Sequence, residues 1–164
     1  MDKKCEFKIR KANVEDISEI LKLIKELADY ENLLHEVEIN EELLKENLFG
    51  EKSYAEVILA FENKKVLGFA LYFFSFSTFL GRPGIYLEDF FVRKTERGRG
   101  IGRALLVNLA KKVKDFGGGR LDWSVLNWNK KAIDFYEKLG AYHLKEWKMY
   151  RLNGEKLNNL AEGV

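Results

Sequence analysis

The sequence is poor in the residues that build disulfide frameworks, metal sites and chain interruptions. Its 164 residues include one cysteine, one proline and two histidines. Because Cys5 is the only cysteine, no disulfide can form within the chain, which fits a reducing compartment. Cys5, His35 and His143 lack the close spacing of metal ligands, so we expect no bound metal. No GxSxG segment is present, which argues against a serine-hydrolase triad.

Long apolar segments and blocks of like charge are also missing. The longest apolar run, residues 66–74, is well short of the ~20 residues that a membrane-spanning helix needs. The N-terminal MDKKCEFKIRK is charged and lacks the apolar core of a signal peptide. The formal net charge is +2, and acidic and basic residues are dispersed along the chain. We therefore expect a cytosolic globular protein of one domain, residues 1–164, with neither nucleic acid nor membrane as a partner.

Hydrophobic periodicity predicts strands and helices in a mixed order. Strands are predicted at residues 5–11, 54–62, 65–76, 85–93 and 120–126. Helices are predicted from Asn13 to about Asn32, after Asn40, at residues 101–116 and 129–139, and from Glu155. Residues 141–152 are predicted to form a strand or hairpin. This order combines hairpins with crossovers, which indicates an α/β protein with a mixed sheet and helices on both faces.

The segment RGRGIG, residues 97–102, joins a predicted buried strand to a predicted helix. Glycine adopts backbone angles that other residues avoid, and it lets a ligand approach the main chain closely. The first amide N–H groups of a helix have no internal partners, and the helix dipole adds positive potential there. Together with nearby arginines, these features predict a polyphosphate site. Its candidate residues are Arg97, Gly98, Arg99, Gly100, Ile101, Gly102 and Arg103.

Two known phosphate-binding patterns fit this segment poorly. A nucleoside triphosphate loop reads GxxxxGK[ST], which the sequence lacks. The dinucleotide fingerprint reads GxGxxG near the start of a βαβ unit, whereas the spacing here is GxGxG after a predicted antiparallel hairpin. Asp122, about 20 residues further on, leaves the dinucleotide alternative open. A solvated basic loop without any ligand is the remaining alternative.

A third pattern fits better, because Arg97, Gly100 and Gly102 match the [RQ]-x-x-G-x-[GA] motif of the GNAT N-acetyltransferases. A second signature of that family, an Asn at a helix start and a later Tyr, matches Asn129 and Tyr136 in NWNKKAIDFYEKLGA. With IRKANVEDISEILKLIKELADYE, GFALYFF and YLEDFFV, the similar segments span almost the whole chain. The sequence resembles the diamine (spermidine/spermine) N-acetyltransferase subfamily and its thialysine-acetylating branch. The resemblance implies a homodimer that transfers acetyl from acetyl-CoA to a small primary amine.

The resemblance also implies catalytic roles and cofactor contacts. An alkylamine is mostly protonated at pH 7, so a general base near the nucleophile is useful. Glu88 is expected to be that base, acting through water, and Tyr136 the acid that protonates the leaving thiolate. In the family the backbone of the strand before the loop binds the pantetheine arm and polarises the thioester carbonyl. The implied cofactor contacts outside the loop are Phe90, Phe91, Val92, Asn129 and Tyr136.

The acceptor site is expected to be lined by acids. Glu88 and Asp89 are adjacent in an apolar strand, where unpaired charge is costly. Strand alternation predicts that their side chains point to opposite faces. By resemblance, Asp89 attracts or orients the cationic amine, and Tyr30, Glu31 and Glu146 belong to the same site. The match of Glu146 to the acidic position of the family is ambiguous, because this chain is about two residues shorter there. A solvated surface carboxylate is the alternative interpretation of Glu146, and it stays open.

Other interpretations of these residues remain open. Glu88 and Asp89 are also typical of carboxylates that cap or pair with a neighbouring loop, and helical spacing alone favours a core position for Tyr136. Ser77 and Thr78 before Phe79 resemble the thialysine branch, which favours a shorter amine or an amino acid with a side-chain amine. The alternative functions are a protein lysine or N-terminal acetyltransferase, and a non-catalytic acyl-CoA-binding regulatory module.

Overall fold

Five strands form one sheet in the order β1-β2-β3-β4-β5. The computed structural model describes residues 7–163 and divides into two compact units, the first ending at Ser124 and the second beginning at Val125. The sheet belongs to the first unit, and Cys5 and the start of the first predicted strand lie outside the described residues. Antiparallel pairing joins β1 through β4, and β5 pairs with β4 in parallel. The strands are β1 Lys8–Lys11, β2 Glu56–Glu62, β3 Lys65–Ser77, β4 Arg82–Val92 and β5 Arg120–Trp123.

The helices occur where the periodicity predicts them. Those of the first unit are α1 Ile17–Tyr30, α2 Glu41–Phe49 and α3 Ile101–Asp115. Those of the second unit are α4 Lys130–Lys138 and α5 Gly154–Ala161. Short 3-10 turns lie at Val14–Asp16, Leu34–Glu36 and Lys94–Glu96. Within residues 7–163, no helix has the length and hydropathy that a bilayer span requires.

Asparagine side chains begin the helical segments at the predicted positions. Asn13 Oδ1 accepts the N–H of Glu15 at 2.9 Å, and Asp16 Oδ2 accepts the N–H of Asn13 at 2.8 Å, which makes a capping box. Asn40 Oδ1 accepts the N–H of Leu43 at 2.9 Å at the start of α2. The caps satisfy amides that have no partner inside the helix, so they fix where each helix begins.

The two faces of the sheet carry separate helices. On one face, α1 and α2 pack over a core that includes the fully buried Ile20, Leu23 and Phe69. Complete burial of one such side chain is worth about 1.5–3 kcal/mol. Tyr72 lies three residues after Phe69 on β3 and faces the other way, where Lys112 of α3 lies 5.9 Å from its ring. The predicted mixed sheet with helices on both faces is confirmed.

Arg93, just after β4, joins α1 to the sheet. Its guanidinium donates to Glu19 Oε1 at 2.7 Å and to Glu26 Oε1 at 2.8 Å. It also donates to the carbonyl of Val66 on β3 at 2.6 Å. Glu19 and Glu26 are two helical turns apart, so one arginine fixes both the position and the rotation of α1 against the end of β4.

A β-bulge interrupts the pairing of β3 with β4. Leu71 lies opposite Asp89, whereas Tyr72 lies opposite Leu87, so Glu88 is an extra residue in β4. An extra residue bends the strand and breaks the alternation of side chains between the faces. The directions of the side chains near Glu88 therefore cannot be counted from the rest of the strand.

Two predicted strand segments differ from the structure. β5 ends at Trp123, three residues before the predicted end. The strand or hairpin predicted at residues 141–152 was wrong, because residues 125–163 contain no strand. The N–H groups of Lys145 and Trp147 donate instead to carbonyls two and three residues earlier, in local turns. Alternating apolar residues form a strand only where a neighbouring strand supplies hydrogen-bond partners, which the pattern alone cannot reveal.

Candidate active site

The loop between β4 and α3 has glycine where the backbone requires it. Gly98 and Gly100 have φ angles of +81° and +80°, in the left-handed region that other residues avoid. A Cβ built at either position would meet no described atom within 4 Å, so the space beside the backbone is open. Gly100 is the N-cap of α3 and has no side chain to cover the first helical amides. The loop and the helix N-terminus therefore fit a pyrophosphate group.

Arg99, a predicted anion ligand, is held by two carboxylates. Its guanidinium pairs with Glu62 at the end of β2 and with Glu96, which is buried behind the loop. Lys65 Nζ donates to Glu96 at 2.6 Å. Hydrogen bonds from Lys65 and Arg99 hold the pKa of Glu96 below its usual range. This network of Lys65, Arg99, Glu62 and Glu96 is the loop clamp, and it fixes the loop before a ligand binds.

Arg97 folds back toward the sheet. Its Nε donates to the carbonyl of Val92 at 2.9 Å. Its Cζ lies 4.7 Å from the centroid of the Tyr30 ring and 5.6 Å from that of Phe91. Both distances are in the range of cation–π contacts. Arg103, the third arginine predicted to bind the polyphosphate, is exposed in the first turn of α3.

The C-terminal part of β4 extends past its parallel neighbour. Pairing with β5 ends at Leu87, whereas pairing with β3 continues to Val92. Phe91 is buried in the core under α1 and α2, and Phe90 and Val92 are partly buried. Residues 88–92, which include the predicted cofactor contacts Phe90, Phe91 and Val92, therefore form an edge of β4 without a described pairing to β5.

A cavity of about 460 Å³, widely open to solvent, lies between α1, α2 and the sheet. Glu88 and Asp89 both line it, so the prediction that they point to opposite faces was wrong. The reason is the bulge, in which Glu88 is the extra residue and the alternation is lost. The rest of the wall is mostly apolar. It includes Ile24, Glu38, Ile39, Leu44, Asn47 and Leu71.

Two neighbouring carboxylates, Glu88 and Glu31, act on Asp89 at the cavity wall. Burial, followed by the charges of Glu88 and Glu31, raises the pKa of Asp89 to about 6. Burial also raises the pKa of Glu31, which directly follows α1. Glu88 is exposed to solvent. An ammonium group near these carboxylates would reduce both the repulsion and the cost of desolvation, so the wall favours a cation.

The second unit carries three predicted site residues. Asn129 begins α4, and its Oδ1 accepts the N–H of Ala132 at 3.3 Å. Tyr136 lies two turns later on α4, is only 9% exposed, and has its ring centroid 5.4 Å from that of Phe135. Glu146 is exposed in the irregular segment that follows α4. The predicted helix start and the later tyrosine thus occur on one helix.

Several residues of the candidate site were missed from the sequence. Glu38 and Asn47 line the cavity, and Glu62 and Glu96 belong to the loop clamp, yet none stood out as a site residue. The spacing of Glu96 and Arg99, three residues apart, was the one available signal for the clamp. The cavity residues gave no signal, because their proximity depends on how α2 packs against the sheet.

The fold, the glycine loop and the edge of β4 define an acetyltransferase. Residues 17–141 match the model of the Acetyltransferase (GNAT) family. The match covers most of the chain, and the chain therefore belongs to the GNAT acetyltransferase family.

Two proteins similar to this chain are named for the small amine that they acetylate. The chain is 42% identical to "Thialysine N-epsilon-acetyltransferase" of Bos taurus, over 93% of this chain and 96% of that protein. It is 45% identical to "L-ornithine N5-acetyltransferase NATA1" of Arabidopsis thaliana over 56% of this chain and 40% of that protein. A solved structure, an integron cassette protein from the mobile metagenome of V. cholerae, is similar with a TM-score of 0.81 and 32% identity. That similarity covers 95% of this chain and 98% of the other.

Gly100→Ala is expected to weaken acetyl-CoA binding about tenfold, because the left-handed backbone becomes strained by about 1–2 kcal/mol and the loop shifts. Gly117→Ala is the matched control, since Gly117 has φ +73° and open space at the other end of α3. Both variants should lose similar stability in urea denaturation. Calorimetric titration with acetyl-CoA should separate them, and equal affinities would contradict the assignment of the loop.

Asp89→Asn is expected to stabilise the protein at pH 7.5 but not at pH 4. Since the pKa of Asp89 rises from 3.8 to about 6, the folded state binds more protons than the unfolded state between these values. Stability of the wild type therefore falls as pH rises through this window, by about 1–3 kcal/mol in all. Urea denaturation of both proteins at pH 4 and 7.5 measures this difference. A gain from Asp89→Asn that is equal at the two pH values would contradict it.

Proposed function

We propose that this chain is an acetyl-CoA-dependent N-acetyltransferase that acetylates a primary amine of a small molecule. One observation carries the proposal: in a GNAT chain, the bulge in β4 brings two carboxylates to the wall of a mostly apolar cavity. A cavity of this size and charge suits a small cationic acceptor. The relatives named for thialysine and ornithine acetylation support an amine on a short aliphatic chain.

Glu88 removes the proton that prevents attack in the proposed reaction. An alkylammonium has a pKa near 10.4, so the amine arrives protonated. Glu88 lies at the cavity wall and is exposed to solvent, a position from which it accepts the proton through water. The amine lone pair then attacks the thioester carbonyl carbon, the C–N bond forms and the C–S bond breaks. By the family pattern, Tyr136 donates its proton to the leaving thiolate. The new amide nitrogen loses its second proton through water, and that proton restores the Tyr136 phenol.

The acetyl-CoA contacts follow from the open loop and the extended β4 edge. Backbone groups of residues 97–103 hold the pyrophosphate, as the open glycine positions and uncapped helix start support. Backbone groups of residues 90–92 hold the pantetheine arm and polarise the thioester carbonyl. By the family pattern, Asn129 and Tyr136 also contact acetyl-CoA. Bound acetyl-CoA supplies the activated acetyl group.

On the acceptor side, Asp89 and Glu31 attract the ammonium group and Tyr30 lines the same site. The electrostatic coupling of Glu31 with Asp89 supports this part of the proposal. Glu146 is proposed as a further acidic contact on the family pattern alone. We also propose a cytosolic homodimer that uses no metal, on the single cysteine and on the resemblance to the diamine acetyltransferases.

The experiment that tests the function is release of CoA thiol from acetyl-CoA with a panel of amines. The panel holds thialysine, lysine, ornithine, putrescine, spermidine, spermine and a lysine-containing peptide. Release with a small amine and none with the peptide is the expected result. Release with the peptide alone would favour a protein acetyltransferase, and acetyl-CoA binding without any release would favour a regulatory module.

Glu88→Gln is expected to lower kcat about 100-fold or more near pH 7, because general-base catalysis typically contributes 10²–10⁴-fold. The affinity for acetyl-CoA should change little, since the loop is untouched. Glu51→Gln serves as the control, because Glu51 is an exposed carboxylate between α2 and β2. Initial rates of the wild type and of both variants are measured across pH 6–9. A Glu88→Gln enzyme with the wild-type rate at pH 7 would remove Glu88 as the base.

A further inference from the structure

We propose that the side chain of Arg97 is a positioning residue for the amine cavity rather than a ligand of the pyrophosphate. It holds the C-terminal end of α1 against the end of β4. The inference rests on the proposed function of the cavity. It adds that the loop and the acceptor site are linked through one side chain.

The described contacts of Arg97, an exposed residue, are with the ends of β4 and α1. Its Nε donates to the carbonyl of Val92, which fixes the guanidinium at the end of β4. The guanidinium lies over the ring of Tyr30, the last residue of α1, and near the ring of Phe91. The Tyr30 and Phe91 ring centroids are 6.4 Å apart. Arg97 therefore joins the end of a helix to the end of a strand.

The end of α1 is part of the acceptor site. Ile24 of α1 lines the cavity, and Glu31, which follows Tyr30, acts electrostatically on Asp89 in the cavity wall. Arg93 fixes α1 only as far as Glu26. In the last turn of α1, Leu27 and Ala28 are buried, and Arg97 adds a contact to the terminal Tyr30. A shift of that turn moves Glu31 relative to Asp89.

The two possible roles of Arg97 predict different kinetic effects. A pyrophosphate ligand contributes to acetyl-CoA affinity, so its loss raises the acetyl-CoA Kd. A positioning residue at the acceptor wall contributes to amine binding, so its loss raises the amine KM. Coupling between sites is commonly 5–150-fold, and we expect a rise of about tenfold in amine KM for Arg97→Met.

The test is a double-mutant cycle of Arg97→Met and Tyr30→Leu. Amine KM and kcat are measured with the panel amine of highest wild-type kcat/KM, and acetyl-CoA Kd by calorimetric titration. Both single variants should raise the amine KM, and the double variant should be no worse than Tyr30→Leu, because Arg97 acts through Tyr30. Acetyl-CoA Kd and kcat should change less than about threefold. Arg97→Lys should recover part of the KM, since a lysine keeps the charge over the ring but not the Nε bond to Val92.

Lys52→Met is the matched control, because Lys52 lies 5.0 Å from the Tyr54 ring in an exposed cation–π contact outside the cavity. It should leave the amine KM unchanged. Amide hydrogen exchange gives a second readout that needs no turnover. The N–H groups of Glu31, Asn32 and Leu33 donate to carbonyls of the last turn of α1, and they should exchange faster in Arg97→Met than in Lys52→Met.

A tenfold rise in acetyl-CoA Kd with an unchanged amine KM would overturn the inference and make Arg97 an anion ligand. Additive effects in the cycle, or unchanged exchange at residues 31–33, would also overturn it. Wild-type turnover on the panel tests the proposed function separately. An active enzyme in which Arg97→Met leaves amine KM unchanged overturns this inference alone, whereas a wild type without turnover overturns both.

Discussion

The β-bulge at Glu88 is the constraint on which the proposed acceptor cavity depends. In a regular strand, Glu88 and Asp89 would lie on opposite faces, and only one carboxylate would reach the side covered by α1 and α2. The extra residue brings both to one wall, where burial and like charge disfavour ionisation of Asp89. The pairing of β3 with β4 continues on both sides of the bulge, so the sheet tolerates this local cost. In the proposed function, part of the stability lost there is recovered when the cationic amine binds.

Charged side chains fix the conformation of the glycine loop, although the composition of the loop does not suggest this. A loop of alternating arginine and glycine looks like a flexible cationic surface, yet Arg99 is bound by Glu62 and Glu96. The loop conformation is therefore set by folding, and little further conformational entropy is lost when a ligand binds. Arg93 gives α1 the same kind of fixed position through Glu19 and Glu26.

Local signals account for the parts of the fold that were predicted from the sequence. Asn13 and Asn40 mark helix starts because capping depends on neighbouring residues only. The glycines of the loop were recognised because their spacing matches a family pattern. The bulge at Glu88 and the irregular segment at residues 141–152 were not predictable in this way. Both depend on which strand, if any, lies alongside, and periodicity within one segment carries no information about its neighbour.

The glycine loop also has a consequence for which thioesters such an enzyme accepts. Main-chain amides at a helix start recognise the charge and shape of a phosphate, which every coenzyme A ester shares. In the proposed arrangement the loop thus binds the part that all coenzyme A esters share and does not distinguish the length of the acyl chain. In the same proposed arrangement, discrimination between acetyl and longer groups falls to the β4 edge at residues 90–92, where Phe90 and Val92 are partly buried. Redesign of acyl selectivity in this scaffold therefore begins at that edge, with the glycine loop left unchanged.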